Sequence, residues 1–462
     1  MKEQKNLLEK ELTDLCGKKL KNTENPYNKL TEKIVVSPGA IDELPAIIKA
    51  LCPEKSVTMI CDDNTWNAVG ERADSVLADK GFSCEILNLE PENIEIVEPL
   101  QETVDSLKEL IAPDTNAILT VGSGTITDIG KALAAESGKP QIALVSAPSV
   151  NGFTSSFSSL IRNGLKTTFP APSPVIVVAD IGIFQNAPKN LIAAGFADLC
   201  SRTVSGPDWH IAAQIYDMPY REEAIRLASI SFDAIKGIAE GIQKRDAAAL
   251  TVLTNALMLS GFSMCLAGSS SPASGGEHLI SHYWDMTAIK AGVQPPSLHG
   301  LQVGIASLMT SSLFELLSAI NCDDIDIEKL ISEYPTDEEF AEALKWRHGE
   351  LYEIVKNTAL KKFVPSDIQR KRLERLKERW DDMWEKIKPE FLPPTELLSL
   401  LEKAACPTLA SEINLSRSEV TRAFLNARDI RLRFSILDVA FDLGLLEEIV
   451  DEAINLSGVA PE

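Results

Sequence analysis

From Lys33 onward, short apolar runs alternate with amphipathic stretches, and that alternation predicts the first half of the fold. Ile34-Val35-Val36 reads as a strand, residues 40–51 as a helix, 56–61 as a strand and 66–80 as a helix. Strands at 84–89, 116–121, 141–145 and 175–180 and helices at 97–111 and 126–135 continue the series. Strand and helix in repeated succession predict a parallel sheet with helices on both faces, taking ligands at the carboxyl ends of its strands. Past about residue 185 helical spacing dominates, with segments at 191–209, 221–242, 247–266, 278–289 and 300–317, then 338–357, 367–386, 396–405, 417–428 and 434–453. Before the sheet, leucines at 7, 8, 12, 15 and 20 among lysines and glutamates predict an amphipathic helix ending near Asn25-Pro26, either packed on the body or disordered. The expected organisation is a helical extension over 1–30, an α/β domain over 31–185 and an all-α domain over 186–462.

Two loops at strand ends carry candidate chemistry. Cys61-Asp62-Asp63-Asn64-Thr65 follows an apolar strand, where Asp62 can accept hydrogen bonds from ribose hydroxyls; Asp63 or Asn64 as a plain helix N-cap would look the same. Val121-Gly122-Ser123-Gly124-Thr125 joins a strand to a helix, and its glycines would let a pyrophosphate approach backbone N–H groups at the helix N-terminus. Tight strand-to-helix turns select glycine too, so the loop alone leaves both readings open. A dinucleotide site would make the α/β half Rossmann-like. The stretch from Ser146 to Ser156 is rich in hydroxyls and carries one amide, Asn151, as turn chemistry or as ligand contacts.

Composition narrows the class. Hydrophobic residues are 45% and charged residues 24%, near the globular average. The net charge of −22 repels polyanions, and the one basic stretch, 369–379, is interleaved with Glu374 and Glu378, so no nucleic-acid role is expected. Eight cysteines without a CxxC pair suit buried thiols in a reducing compartment. The segment Met1 to Lys21 has no apolar core of a signal peptide, and no apolar run reaches membrane-spanning length. A cytoplasmic protein without a membrane span is expected.

Asp198 lies in an Ala/Leu-rich helical stretch, where a buried carboxylate needs a partner: a metal, Arg202 one turn on, or a cap. His278 and His282 are four apart and share a helix face, as two ligands or as satisfied core histidines.

Taken in order, Gly122-Ser123-Gly124-Thr125, Ala147-Pro148-Ser149-x-x-Gly152, Ala193-Ala194-Gly195-Phe196-Ala197-Asp198-Leu199, Pro272-Ala273-Ser274-Gly275-x-Glu277-His278-x3-His282 and Leu298-His299-Gly300-x-x-Val303-Gly304 resemble the sn-glycerol-1-phosphate dehydrogenases, with the bacterial AraM-like branch most similar. That family sits in the superfamily of iron-containing alcohol dehydrogenases, glycerol dehydrogenase and dehydroquinate synthase. The resemblance implies a dehydroquinate synthase-like fold and NAD(P)-linked, metal-dependent interconversion of dihydroxyacetone phosphate and sn-glycerol 1-phosphate. It implies Asp198, His278 and His299 as ligands of one divalent metal, Zn, Ni or Fe, and Gly122, Ser123, Gly124 and Thr125 on the pyrophosphate. Asp62 falls near the adenosine ribose, favouring NAD over NADP, and Ser146, Ser149 and Ser155 fall by the nicotinamide half; Asp128 completes the cofactor set. Asn151 and His282 are the candidate catalytic residues, for hydrogen bonding and proton delivery. Two departures bear on the substrate. Asn151 stands where the family usually has Asp, and Ser271 where it usually has Arg before Pro-Ala-Ser-Gly. The alternatives are a polyol or glycerol dehydrogenase, a cyclase-type reaction on the same scaffold, or a dinucleotide-binding homologue without catalysis. The expected partners are a small phosphorylated or polyol substrate and further copies of the chain, as a homodimer or larger.

Overall fold

The computed structural model describes residues 1–21, 25–91 and 96–460. Its main sheet has six strands: β1 (Lys33–Ser37), β2 (Ser56–Asp62), β3 (Ser83–Leu89), β4 (Ala117–Gly122), β5 (Gln141–Val145) and β8 (Ile176–Asp180). Between the last two, β6 (Phe157–Arg162) and β7 (Leu165–Pro170) form a separate antiparallel hairpin. The sheet order is β1-β8-β5-β4-β2-β3, parallel throughout. The central strands β4, β5 and β8 are buried at every position, which is why their apolar runs were continuous rather than alternating. From β2 the chain goes outward to β3 and then crosses back to β4 on the other side of β2. The switch point therefore lies between β2 and β4, with Asp62 and Gly122 at their carboxyl ends, where such sheets bind ligands.

No further strand pairs with the sheet past β8, and helices follow to the end of the described residues. An N-terminal parallel α/β half and a helical C-terminal half are thus the observed architecture. Several stretches that read as single helices are broken. Residues 191–209 become Lys189–Cys200 and Arg202–Tyr216. Gly349, at φ 54°, divides 338–357, and Gly444, at φ 70°, divides 434–453, both in the left-handed region that ends helices. Residues 40–51 split into the 3-10 turn Ala40–Glu43 and the short helix Leu44–Ile48, where Pro45 cannot donate a backbone N–H.

The N-terminal helix, Lys2–Leu15, stops well before Asn25-Pro26 because Cys16 is extended and Gly17 is left-handed at φ 72°. It is packed: Leu8, Leu12 and Leu15 belong to the large core of the helical half, and Arg226 grips Glu11 at 2.7 Å. Leu8→Ala is expected to cost about 2–5 kcal/mol, read as a lowered thermal midpoint.

Two helices, Ala247–Ala267 and His299–Ser318, are long and apolar enough to cross a membrane, against the expectation that none would be. Their apolar windows are 94% and 89% buried inside the protein, so both act as core helices.

Candidate active site

Two glycines decide where the candidate ligands meet. Gly195 lies one turn before Asp198 in the Lys189–Cys200 helix, and a Cβ there would stand 1.9 Å from the Pro148 carbonyl oxygen. Gly300 follows His299 at the start of the His299–Ser318 helix, and a Cβ there would stand 2.1 Å from the Ala194 carbonyl oxygen. With hydrogen in both places, the two helices and the loop after β5 close to backbone contact. His278 enters from a third helix, Gly276–Lys290. One ligand atom from each of Asp198, His278 and His299 then lies within 4.8 Å of the others.

The neighbours fix how each group faces. His278 Nδ1–H donates to Glu277 Oε1 at 2.8 Å, which leaves Nε2 facing Asp198 Oδ1 at 3.5 Å. His299 Nδ1–H donates to Ser281 Oγ at 3.2 Å, and Ser281 donates in turn to Gln302 Oε1 at 3.2 Å. Both rings thus keep an Nε2 lone pair free, the arrangement by which outer hydrogen bonds orient metal-binding histidines. Asp198 Oδ2 accepts the Asn151 backbone N–H at 2.7 Å, while Oδ1 is buried and accepts no hydrogen bond. A buried carboxylate oxygen left in that state beside two imidazole lone pairs fits a cation. The two carboxylates favour positive charge here: burial works against a charged His278, yet Asp198 and Glu277 outweigh it and hold its pKa above the ordinary value, so a metal at Nε2 would take the place of a proton. Arg202, the other partner considered for Asp198, turns elsewhere, its Nη2 donating to Glu390 at 2.9 Å and Ser229 at 3.0 Å. Glu277→Gln is expected to weaken Zn²⁺ binding about 10- to 100-fold, measured by chelator competition.

His282 stands outside the trio. Its ring lies 6.0 Å from His278 and 5.3 Å from His299, centroid to centroid, and its Nδ1 is buried without a partner. Burial first, and then the charges of Arg431 and Lys166, push its pKa well below the ordinary value, so the ring is neutral. Helical spacing alone would have paired it with His278 as a ligand; the imidazole gathered with Asp198 and His278 is that of His299 instead.

The trio opens on a cleft of about 650 Å³ that reaches the switch point of the sheet. Asp62, Ser123, Gly124, Thr125, Asp128, Ser146, Ser149 and Ser155 all line it, with Asn151 and His282. Gly122 lies behind the wall, its carbonyl accepting the Ser146 N–H at 3.0 Å. Asp62 is itself the helix N-cap, its Oδ1 accepting the Thr65 N–H at 2.7 Å, so neither Asp63 nor Asn64 takes that role. Ser123 and Ser149 touch through their hydroxyls. Asp128 accepts the Ser159 N–H at 3.1 Å and Lys131 Nζ at 3.3 Å, and burial raises its pKa despite that lysine.

Lys131, with no exposed surface, also donates to the Gly152 carbonyl, to Ser155 Oγ at 3.1 Å and to the Phe157 carbonyl at 3.0 Å. Ser155 is therefore largely engaged in shaping the loop. Asn151 Nδ2 is buried and has no partner. Lys166 and Arg431 also line the cleft and were missed. Lys166 lies on the unread hairpin, whose sequence signal was the turn Asn163-Gly164, with φ 52° and 75°.

Comparison with known proteins supplies independent evidence. Residues 35–188 match the iron-containing alcohol dehydrogenase family. The chain is 34% identical over 291 residues to a glycerol-1-phosphate dehydrogenase (NAD(P)+) of Bacillus velezensis, covering 62% of this chain and 72% of that protein. It is 33% identical over 259 residues to the protein of the same description from Halalkalibacterium halodurans, covering 56% of this chain and 65% of that protein. The glycerol dehydrogenase structure from Schizosaccharomyces pombe superposes with a TM-score of 0.57 over 97% of this chain and 96% of that one, at 16% identity, and so shares the fold. Since more than two thirds of the B. velezensis protein is matched at that identity, and the fold is that of the wider superfamily, the chain belongs to the glycerol-1-phosphate dehydrogenase family among the iron-containing alcohol dehydrogenases.

Proposed function

We propose that the protein reduces dihydroxyacetone phosphate to sn-glycerol 1-phosphate with NAD(P)H, residues 31–185 holding the dinucleotide and residues 186–462 the metal. The observation that carries this reading is the unpaired Asp198 oxygen, set with two imidazoles in the same cleft as the glycine loop. Asp198, His278 and His299 would hold a divalent ion, which would supply a Lewis acid for the substrate carbonyl, and a bound nicotinamide would supply hydride.

The chain's own groups do the rest. Gly124 and Thr125 offer N–H groups at a helix N-terminus, where the dipole favours a pyrophosphate. Asp62 keeps one carboxylate oxygen beyond its capping bond for a ribose hydroxyl. Ser146 and Ser149 line the wall between that loop and the trio. Asn151 Nδ2 is a donor in need of an acceptor, which a substrate hydroxyl oxygen provides; as an amide it cannot take up a proton. His282, held neutral, is suited to relaying a proton, gaining one at one ring nitrogen as it gives one up at the other. All eight cysteines are free thiols, in keeping with the reducing cytoplasm proposed as the compartment. The homo-oligomer that the resemblance implies is testable by sedimentation.

The deciding experiment is NADH oxidation by protein loaded with Zn²⁺, Ni²⁺ or Fe²⁺, with dihydroxyacetone phosphate compared against dihydroxyacetone. Turnover of the phosphorylated substrate is expected. Turnover of dihydroxyacetone alone would assign a polyol enzyme, and NADH binding without turnover of either would assign a non-catalytic homologue. Asn151→Asp tests the amide: a rise in activity on dihydroxyacetone phosphate would mark Asn151 as a loss, and unchanged activity would show that no acid is needed there.

A further inference from the structure

One wall of the cleft carries cations that the proposed mechanism leaves unused. Lys166, on β7, and Arg431 both line it beside His282. The Lys166 charge is matched, since Nζ meets Asp285 Oδ2 at 2.7 Å. Arg431 is different: its guanidinium donates to the Lys166 backbone carbonyl at 3.1 Å, and no carboxylate lies within ion-pair distance of it among the described residues. It is half-buried in the cleft wall, where burial and the neighbouring Arg433 draw its pKa down to about 9, as for a cation without a counter-ion. Arg433 is already spent. It donates to the Ser274 carbonyl, to Ser274 Oγ at 2.6 Å and to Ser270 Oγ at 2.7 Å, bracing the loop in which position 271 is an uncharged serine.

Resting on the dehydrogenase reading of this cleft, we infer that Arg431, with Lys166 beside it, binds the phosphate of the substrate and sets the preference for a phosphomonoester. A planar guanidinium with unused N–H groups matches two phosphate oxygens at once. The position favours substrate over cofactor phosphate. The dinucleotide loop lies at the ends of β2 and β4, whereas Arg431 bonds to Lys166 and Lys166 is tied through Asp285, Gln302 and Ser281 to His299, at the other end of the cleft.

A chain of bonds fixes that spacing. Asp285 holds Lys166 with Oδ2 and accepts Gln302 Nε2 with Oδ1 at 2.9 Å; Gln302 accepts Ser281, and Ser281 accepts His299 Nδ1–H. A phosphate reader is thereby set at a defined distance from a metal ligand. That is what recognition of a phosphate close to a reacting carbonyl requires.

Arg431→Gln is expected to raise KM for dihydroxyacetone phosphate about 10- to 100-fold, the worth of charge-assisted hydrogen bonds to phosphate, with KM for NADH and metal content unchanged. Arg431→Lys, which keeps the charge and loses the fork, should fall between, and it carries the test if the glutamine variant does not fold. Inorganic phosphate should inhibit the wild-type enzyme competitively with dihydroxyacetone phosphate and not with NADH, and Arg431→Gln should lose that inhibition. An unchanged KM for dihydroxyacetone phosphate in both variants, or phosphate inhibition competitive with NADH, would overturn the assignment while leaving the dehydrogenase intact. If the wild-type protein turns over no dihydroxyacetone phosphate, the parent reading fails instead. Calorimetric binding of inorganic phosphate to wild-type and Arg431→Gln protein then still decides: equal affinity rules the site out, and loss of binding in the variant upholds it.

Discussion

Replacing His299 by alanine is expected to leave the protein without stoichiometric metal and to lower kcat/KM by about 10³-fold or more, at least the cost of losing one preorganised group that stabilises a developing oxyanion. His299 is the informative ligand to remove. Asp198 also anchors the Asn151 backbone and His278 is bonded to Glu277, so substituting either would disturb a loop or a buried acid as well. Among the described residues the His299 side chain has one hydrogen-bond partner, the Ser281 hydroxyl, which would still donate to Gln302. Metal analysis after dialysis, alongside NADH oxidation, checks the result. Stoichiometric metal in the variant would show that the site has been misassigned.

A single added carbon at Gly300 should have the next largest effect. The alanine Cβ would stand 2.1 Å from the Ala194 carbonyl oxygen and 2.6 Å from its carbon, backbone atoms that no rotamer change can move aside. The His299–Ser318 helix must then shift away from the helix that carries Asp198. Overpacking of this kind costs about 1–3 kcal/mol, and a shift near 1 Å between the two ligands lowers turnover by about 10²-fold. Gly300→Ala should therefore show weaker metal binding and a lowered thermal midpoint together. A variant with wild-type metal affinity would show that this helix contact does not set the ligand spacing.

The parts of the fold written in local pattern were readable from the chain. The central strands are continuous runs of Val, Ile, Leu and Ala because both of their faces are covered, and the glycine loop after β4 sits where parallel sheets bind ligands. The β6–β7 hairpin was passed over even though Asn163-Gly164 announces it, since its residues alternate weakly and β7 is only partly buried. The helix breaks at Gly349 and Gly444 had a glycine to mark them, whereas the break at Ser201 had no local sign.

The metal trio was legible only through the ordered motifs of a family. Spacing within one helix put His278 with His282 as ligands or as core histidines, and nothing short-range reveals that His299 is the one gathered with Asp198 and His278. That depends on how closely two helices pack, and hence on Gly195 and Gly300, which an unaligned reading treats as ordinary small residues. Lys166 and Arg431 were the least readable of all. They meet only through the fold, from segments that share no local pattern.

The buried Lys131 binds two things that are usually thought of as separate. It rises from the Gly124–Ser137 helix, whose start lines the cleft, and clamps the carbonyls of Gly152 and Phe157; the same loop lends the Asn151 N–H to Asp198. The candidate dinucleotide loop and the candidate metal trio thus lean on one common loop, so any coupling between the two binding events is a single free energy. Whatever factor the dinucleotide applies to metal binding, the metal returns to the dinucleotide in equal measure. The difference in metal retention through dialysis with and without NAD would measure that coupling.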